Sequence, residues 1–185
     1  MENMQYTDRS ELMDVSALNM HDTVIRNGGT EEEALAVVSA LSRDNARTPM
    51  QWNDSEQAGF TTGIPWQRVN PNYTRINVQQ QEKDPSSILN FYRKMGQLHK
   101  DPQYNSTFAA GTFTPYSAGQ KDLIAYERKG EKELLVLANA GNTEQTVELP
   151  DGTFKVLLNN VSDISFITEG ILLEPYQFVI LEKTE

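Results

Sequence analysis

One short run of the chain gathers groups able to grip a polar ligand: Ser42-Arg43-Asp44-Asn45-Ala46-Arg47-Thr48-Pro49-Met50-Gln51-Trp52. A guanidinium presents a rigid fork of donors that suits a hydroxyl and a carboxylate together. Arg47 is the leading candidate for ligand contact. Arg43 either joins it or braces the loop through Asp44. Asn45 and Gln51 carry amides that can meet ligand hydroxyls, or equally can tie down an irregular backbone. Trp52 and Trp66 can stack on a flat ring, but packing in a core is the expectation for both. His21 and His99 stand far apart in sequence, without partners at ligand spacing, and there is no cysteine. No metal site and no cofactor are therefore expected.

These groups need elements to hold them. Thr30-Glu31-Glu32-Glu33 reads as a capping box that starts a helix, and its acidic run suits the positive end of the helix dipole. That reading is preferred to a catalytic carboxylate pair. Leu35, Val38 and Leu41 follow at helical spacing. An earlier helix over about 14–26 ends at Gly28-Gly29. From Asn45 to Tyr73 no period survives, yet the stretch is rich in aromatic residues. A long loop of that texture is more often functional than disordered. Asp84-Pro85 opens another helix, with Ile88, Phe91, Tyr92, Met95 and Leu98 on one apolar face, and Asp101-Pro102 stops it.

After about residue 105 the texture changes to short strands, at 112–116, 123–128, 133–139, 145–148, 154–159, 171–174 and 178–182. Turn signals such as Lys129-Gly130, Gly141-Asn142 and Asp151-Gly152 separate them. Spacing of this kind predicts an antiparallel β-sandwich.

The 185 residues include 26 acidic and 16 basic side chains, a net charge of −10. That balance argues against nucleic acid and against an anionic membrane as partners. No apolar run approaches the roughly 18 residues of a membrane span. The absence of cysteine fits a reducing compartment, so a cytoplasmic protein is the default.

The run from Ser42 to Trp52 continues as Ala58-Gly59-Phe60-Thr61-Thr62-Gly63, Pro65-Trp66, Val69-Asn70-Pro71-Asn72-Tyr73 and Ile76-Asn77-Val78. This string closely resembles the oligo-1,6-glucosidase and dextran glucosidase group of glycoside hydrolase family 13. Trehalose-6-phosphate hydrolases and sucrose isomerases share much of it. Asp84-Pro85-Ser86-Ser87-Ile88 with Phe91-Tyr92 is similar to the start of that family's last barrel helix. Leu134-Leu135-Val136-Leu137-Ala138-Asn139 and Pro175-Tyr176 are similar to strands of its C-terminal β-domain.

The resemblance implies an α+β chain: a helical and loop remnant of a (β/α)8 barrel over 1–105, its last helix near 85–100, then an all-β domain over 106–185. It places Met1 just after the eighth barrel strand. Retaining glycoside hydrolysis needs two carboxyl groups about 5 Å apart, and the family's catalytic carboxylates lie in segments before that point. No catalytic residue is expected here, and the chain alone is expected to be inactive. Arg47, Arg43 and Asn45 remain as substrate-binding candidates, because such barrels build their sites from loops at the strand ends. In the family, the arginine matching Arg47 pairs with an aspartate from an early loop and holds the terminal glucose. The expected partner is an α-glucooligosaccharide in the full-length protein. Self-association through the barrel-facing helix is a further expectation. The alternatives are a glucan-binding module, with Phe113, Tyr116 and Tyr126 as exposed aromatics, or a β-sandwich that only stabilises the barrel. For those three rings an inward-facing position is the expectation.

Overall fold

The computed structural model describes residues 2–116, 119–161 and 166–184. The chain forms two compact units, Met1–Pro85 and Ser86–Glu185.

The first unit is a helix pair followed by a long ordered loop. Helix α1 runs Val15–Arg26 and starts on Asp14, whose side chain accepts from the Ser16 amide at 2.7 Å. It ends in a turn at Gly28, which adopts φ +86°, a left-handed conformation that favours glycine. Helix α2, Glu31–Leu41, opens with the capping box expected from sequence. The Glu33 amide donates to Thr30 Oγ1 at 3.2 Å, and the Thr30 amide donates to Glu33 Oε2 at 2.8 Å. Leu35 and Val38 join Met4, Tyr6, Leu12 and Ala17 in the core of this unit. Leu41, which shares their spacing, sits at the end of the helix and is exposed.

The loop is irregular but tied down by short 3-10 turns at Arg43–Ala46, Glu56–Gly59 and Pro71–Thr74. Buried Gln51 donates to Asn72 Oδ1 at 3.0 Å and to the Ile76 carbonyl at 2.5 Å, closing the loop on itself. A further helix that the sequence reading did not single out, α3 at Val78–Lys83, starts on Asn77. Asp84 ends α3 and does not open the next helix.

In the second unit, helix α4 spans Ile88–Lys100 and is capped by Ser87, whose Oγ accepts from the Asn90 amide at 3.2 Å. The cap therefore falls three positions beyond the Asp84 inferred from the Asp-Pro pair. Helix α5, Asn105–Ala110, follows without a side-chain cap. The strands are β1 Thr112–Pro115, β2 Leu123–Lys129, β3 Glu133–Asn139, β4 Gln145–Glu148, β5 Phe154–Asn159, β6 Phe166–Ile167, β7 Gly170–Leu173 and β8 Phe178–Lys183. They form an antiparallel six-stranded sheet, ordered β1-β2-β3-β8-β5-β6, and a two-stranded sheet of β4 and β7.

The two central strands explain their own composition. Side chains alternate faces along a strand. Leu135 and Leu137 on β3, with Val179 and Leu181 on β8, pack against Val147, Ile171 and Leu173 of the small sheet. Val136 and Ile180 face the other way and meet Phe91, Met95 and Leu98 of α4. A strand covered on both faces reads as a continuous apolar run, as Leu134–Leu137 does. Ile88 and Tyr92, the remaining members of the apolar stripe on α4, are exposed.

Candidate functional site

The polar centre of the first unit is one carboxylate that serves two arginines. Asp14 caps α1, and its side chain is only 2% exposed. Its Oδ1 accepts from Arg43 Nη2 at 3.0 Å, and its Oδ2 from Arg47 Nη1 at 2.8 Å. Arg43 Nε donates to the same Oδ2 in a short contact. The hydrogen bonds from Arg43 hold the Asp14 carboxyl far below the usual carboxylate range; burial opposes them and the Ser16 amide and Arg47 reinforce them. Arg47 Nη1 also donates to buried Asp44 at 3.1 Å, so two carboxylates converge on one nitrogen. The turn that carries Arg43 and Asp44 is set by Ser42, whose Oγ accepts from the Asp44 amide at 3.2 Å.

This arrangement cannot act as an acid/base pair. A general acid needs a carboxyl that keeps its proton near the working pH. Asp14 is driven the other way by its arginine partners. What it can do is position cations. Arg47 keeps 41% of its side chain exposed and Arg43 61%, each anchored at one end and open at the other. For Nε and Nη2 of Arg47 no hydrogen-bond partner is found among the described residues. Two oriented, half-exposed forks are suited to hydroxyls or carboxylates arriving from outside.

Of the residues singled out from sequence, Arg43 and Arg47 are brought together. Arg43 braces the loop through Asp14, twenty-nine residues upstream at the start of α1, and not through a hydrogen bond to Asp44. Asn45 faces inward, where its Oδ1 accepts from the Met4 amide at 2.9 Å and its Nδ2 donates to the Ser39 carbonyl at 2.9 Å. It holds the amino-terminal segment against the end of α2. From sequence alone Asp14 marks only a helix start. Its type, a capping residue ahead of an apolar period, carried that signal and no hint of the arginines.

The aromatic expectations change more. Trp52 is half exposed and Trp66 is 63% exposed, so neither is a core residue of this unit. In the second unit Phe113 is exposed also, with its ring 5.1 Å from that of Tyr126, which is partly buried. Tyr116 packs on the sandwich core and donates its hydroxyl to the Glu148 carbonyl at 2.8 Å. His21 is buried between Glu31 Oε1, 3.0 Å from Nε2, and Asp22 Oδ1, 3.3 Å from Nδ1, where it joins α1 to the start of α2. His99 stacks on Phe108 at 4.2 Å. Among the described residues no three His, Asp or Glu gather as a metal site would require.

Residues 4–107, which take in the first unit, α4 and the start of α5, match the family model for the α-amylase catalytic domain, and residues 123–180 match that for the α-amylase SusG C-terminal domain. The chain belongs to the α-amylase family. It is 36% identical to a probable oligo-1,6-glucosidase 2 of Bacillus subtilis, across all of this chain and 34% of that protein. Among solved structures it superposes on a trehalose-6-phosphate hydrolase of Bacillus licheniformis with a TM-score of 0.89 and 35% identity, covering 100% of this chain and 34% of the other. A trehalulose synthase of Pseudomonas mesoacidophila gives a TM-score of 0.84 and 32% identity, over 98% and 33%. The chain spans about a third of the length of the curated relatives it matches. No helix among the described residues is long and apolar enough to cross a membrane.

Proposed function

We propose that this chain is the C-terminal part of a cytoplasmic α-glucosidase that removes terminal glucose from short α-1,6-linked oligosaccharides by a retaining mechanism. The observation that carries this reading is the pair of half-exposed arginines, fixed by buried Asp14 within the motif run that resembles oligo-1,6-glucosidases. In this reading Arg47 grips hydroxyls of the terminal glucose, Arg43 supports it from the same carboxylate, and Asn45 shapes the loop behind them. The nucleophile and the acid/base come from the portion of the relatives that this chain does not span. The sandwich then stabilises the barrel. A trehalose-6-phosphate hydrolase or a sucrose isomerase is the alternative parent.

The test is glucose release from isomaltose and isomaltotriose, by this chain alone and by the same chain joined in frame to a family barrel portion. The reading expects activity only from the joined protein, and expects it to fall when Arg47 is replaced. Hydrolysis by the 185 residues alone would overturn it.

A second reading concerns assembly. Ile88 and Tyr92 leave one edge of the α4 stripe in solvent, and apolar patches of this sort favour association. In the chain by itself this face is the proposed seat of self-association.

A further inference from the structure

A cavity of about 330 Å³ opens in the first unit. Its wall carries Trp66, Gln67, Arg68, Gln57, Glu11 and Tyr6. The volume lies at the small end of the roughly 300–1,000 Å³ typical of small-molecule sites, which leaves room for one sugar ring.

Three features of the wall stand apart from ordinary packing. Trp66 offers an indole face that the core does not use. Gln67, beside it, is only 5% exposed, yet its side-chain amide makes no hydrogen bond to any described residue, and its Nε2 is closed to solvent without a partner. Buried amides are nearly always satisfied, and a turn of this one toward the cavity would let its unused donor meet a ligand oxygen. Gln57 reaches the cavity from a backbone that L residues rarely adopt: Gln57, Ala58 and Gly59 stand at φ 53°, 56° and 67° in succession. Fully buried Ala58 locks that turn by accepting from the amides of Trp52 at 2.9 Å and Asn53 at 3.2 Å. Strain of this kind persists where surrounding structure enforces it, and often serves a site.

The chemistry of the wall selects its ligand. An aromatic face suits the apolar side of a pyranose ring, while the Gln57 and Gln67 amides suit its hydroxyls. Arg68 already meets Glu11 at 3.3 Å and the Gln5 carbonyl at 2.9 Å, so the charges on the wall are matched. A neutral hexose fits such a wall; a phosphate or carboxylate finds no unmatched cation there.

We propose that this cavity is a subsite for a neutral hexopyranose, stacked on Trp66 and hydrogen-bonded by Gln67 and Gln57. As an additional ring position for an α-glucan it rests on the α-glucosidase reading, and it can be tested separately. Saturation-transfer NMR on the full chain with millimolar methyl α-D-glucopyranoside should show transfer from the indole of Trp66. The variants Trp66→Ala and Gln67→Leu should each weaken binding about tenfold, while Trp52→Ala, whose indole is not on the cavity wall, leaves it within about twofold. Amide spectra report whether each variant stays folded; Gln67→Leu keeps the bulk of the side chain, so the test does not hang on Trp66→Ala alone. No transfer from the unaltered chain to the sugar would overturn the subsite without touching the role of Arg47. Binding lost in Arg47→Ala but kept in Trp66→Ala would also overturn it, and would place the sugar at the arginines instead.

Discussion

Asp14 Oδ2 and Arg47 Nη1 lie 2.8 Å apart, across thirty-three residues of chain. The same carboxylate caps α1 and takes both Nε and Nη2 of Arg43. One side chain thus fixes where a helix begins and where two cations point. Removing it should disturb both. Asn caps helices about as well as Asp, but it carries no charge for the arginines. The unfolding midpoint in urea should therefore fall in the order unaltered chain, Asp14→Asn, Asp14→Ala. Arginine side-chain resonances should lose dispersion already in Asp14→Asn. Equal midpoints for all three chains would show that the cluster contributes nothing to the fold.

Acid should act through this carboxylate. Its folded-state pKa lies below the ordinary 3.8, so on acidification the unfolded chain takes up the proton first. The stability it supplies is complete well above that ordinary value and drains away as the pH falls past it towards the folded value. Asp22, held low by its hydrogen bond from Arg9, and Asp8, held low by bonds from Ser10, contribute in the same direction. Urea midpoints measured between about pH 5 and pH 2 should fall with pH in the unaltered chain and fall less steeply in Asp14→Asn. Parallel curves would remove Asp14 from the account.

Catalysis by the joined protein should report on the fork of Arg47. Hydrogen bonds to a charged group contribute about 1.5–3 kcal/mol, so Arg47→Ala should lower kcat/KM on isomaltose on the order of ten- to a hundredfold. Arg47→Lys keeps the charge and loses the fork, and should recover only a small part of the loss. Full recovery by lysine would mean that charge alone is used.

The sandwich and its covering helix should separate stability from assembly. Leu137 is fully buried between the sheets, and Leu137→Ala should destabilise this unit by about 2–5 kcal/mol. Exposed Ile88 and Tyr92 should behave oppositely. The double change to serine should alter stability by roughly 0.5 kcal/mol or less at each position, while sedimentation velocity shows less self-association. An unchanged distribution of species would exclude this face as the contact.

Legibility in the sequence followed the range of the interactions. The Thr30–Glu33 box involves residues three apart and was readable. So were the seven longer strands of the sandwich, because turn residues and apolar runs are local. The two-residue strand β6 carries too little pattern to be seen. Helix α3 is a single polar hexapeptide with no apolar period, and was missed. Asp84 was favoured as a cap by its Pro neighbour, yet the chain turned three residues later on Ser87. The arginines could be picked out by type and motif. Their anchor could not, because nothing near Asp14 in sequence announces a partner thirty-three residues away. Residue type alone points Trp66 to a core, whereas its position depends on how the whole loop closes.

The double hold on Arg47 has a consequence for affinity. A long cationic side chain usually surrenders rotamer freedom when it clasps a ligand, at a cost of about 0.5–1.5 kcal/mol. Here the guanidinium is already immobilised by Asp14 and Asp44 before any ligand arrives. Binding through its open edge would be accompanied by little further loss of side-chain entropy. Tightening or slackening that hold, through substitutions at Asp44 that never touch the ligand, should tune association without altering a single contact to sugar.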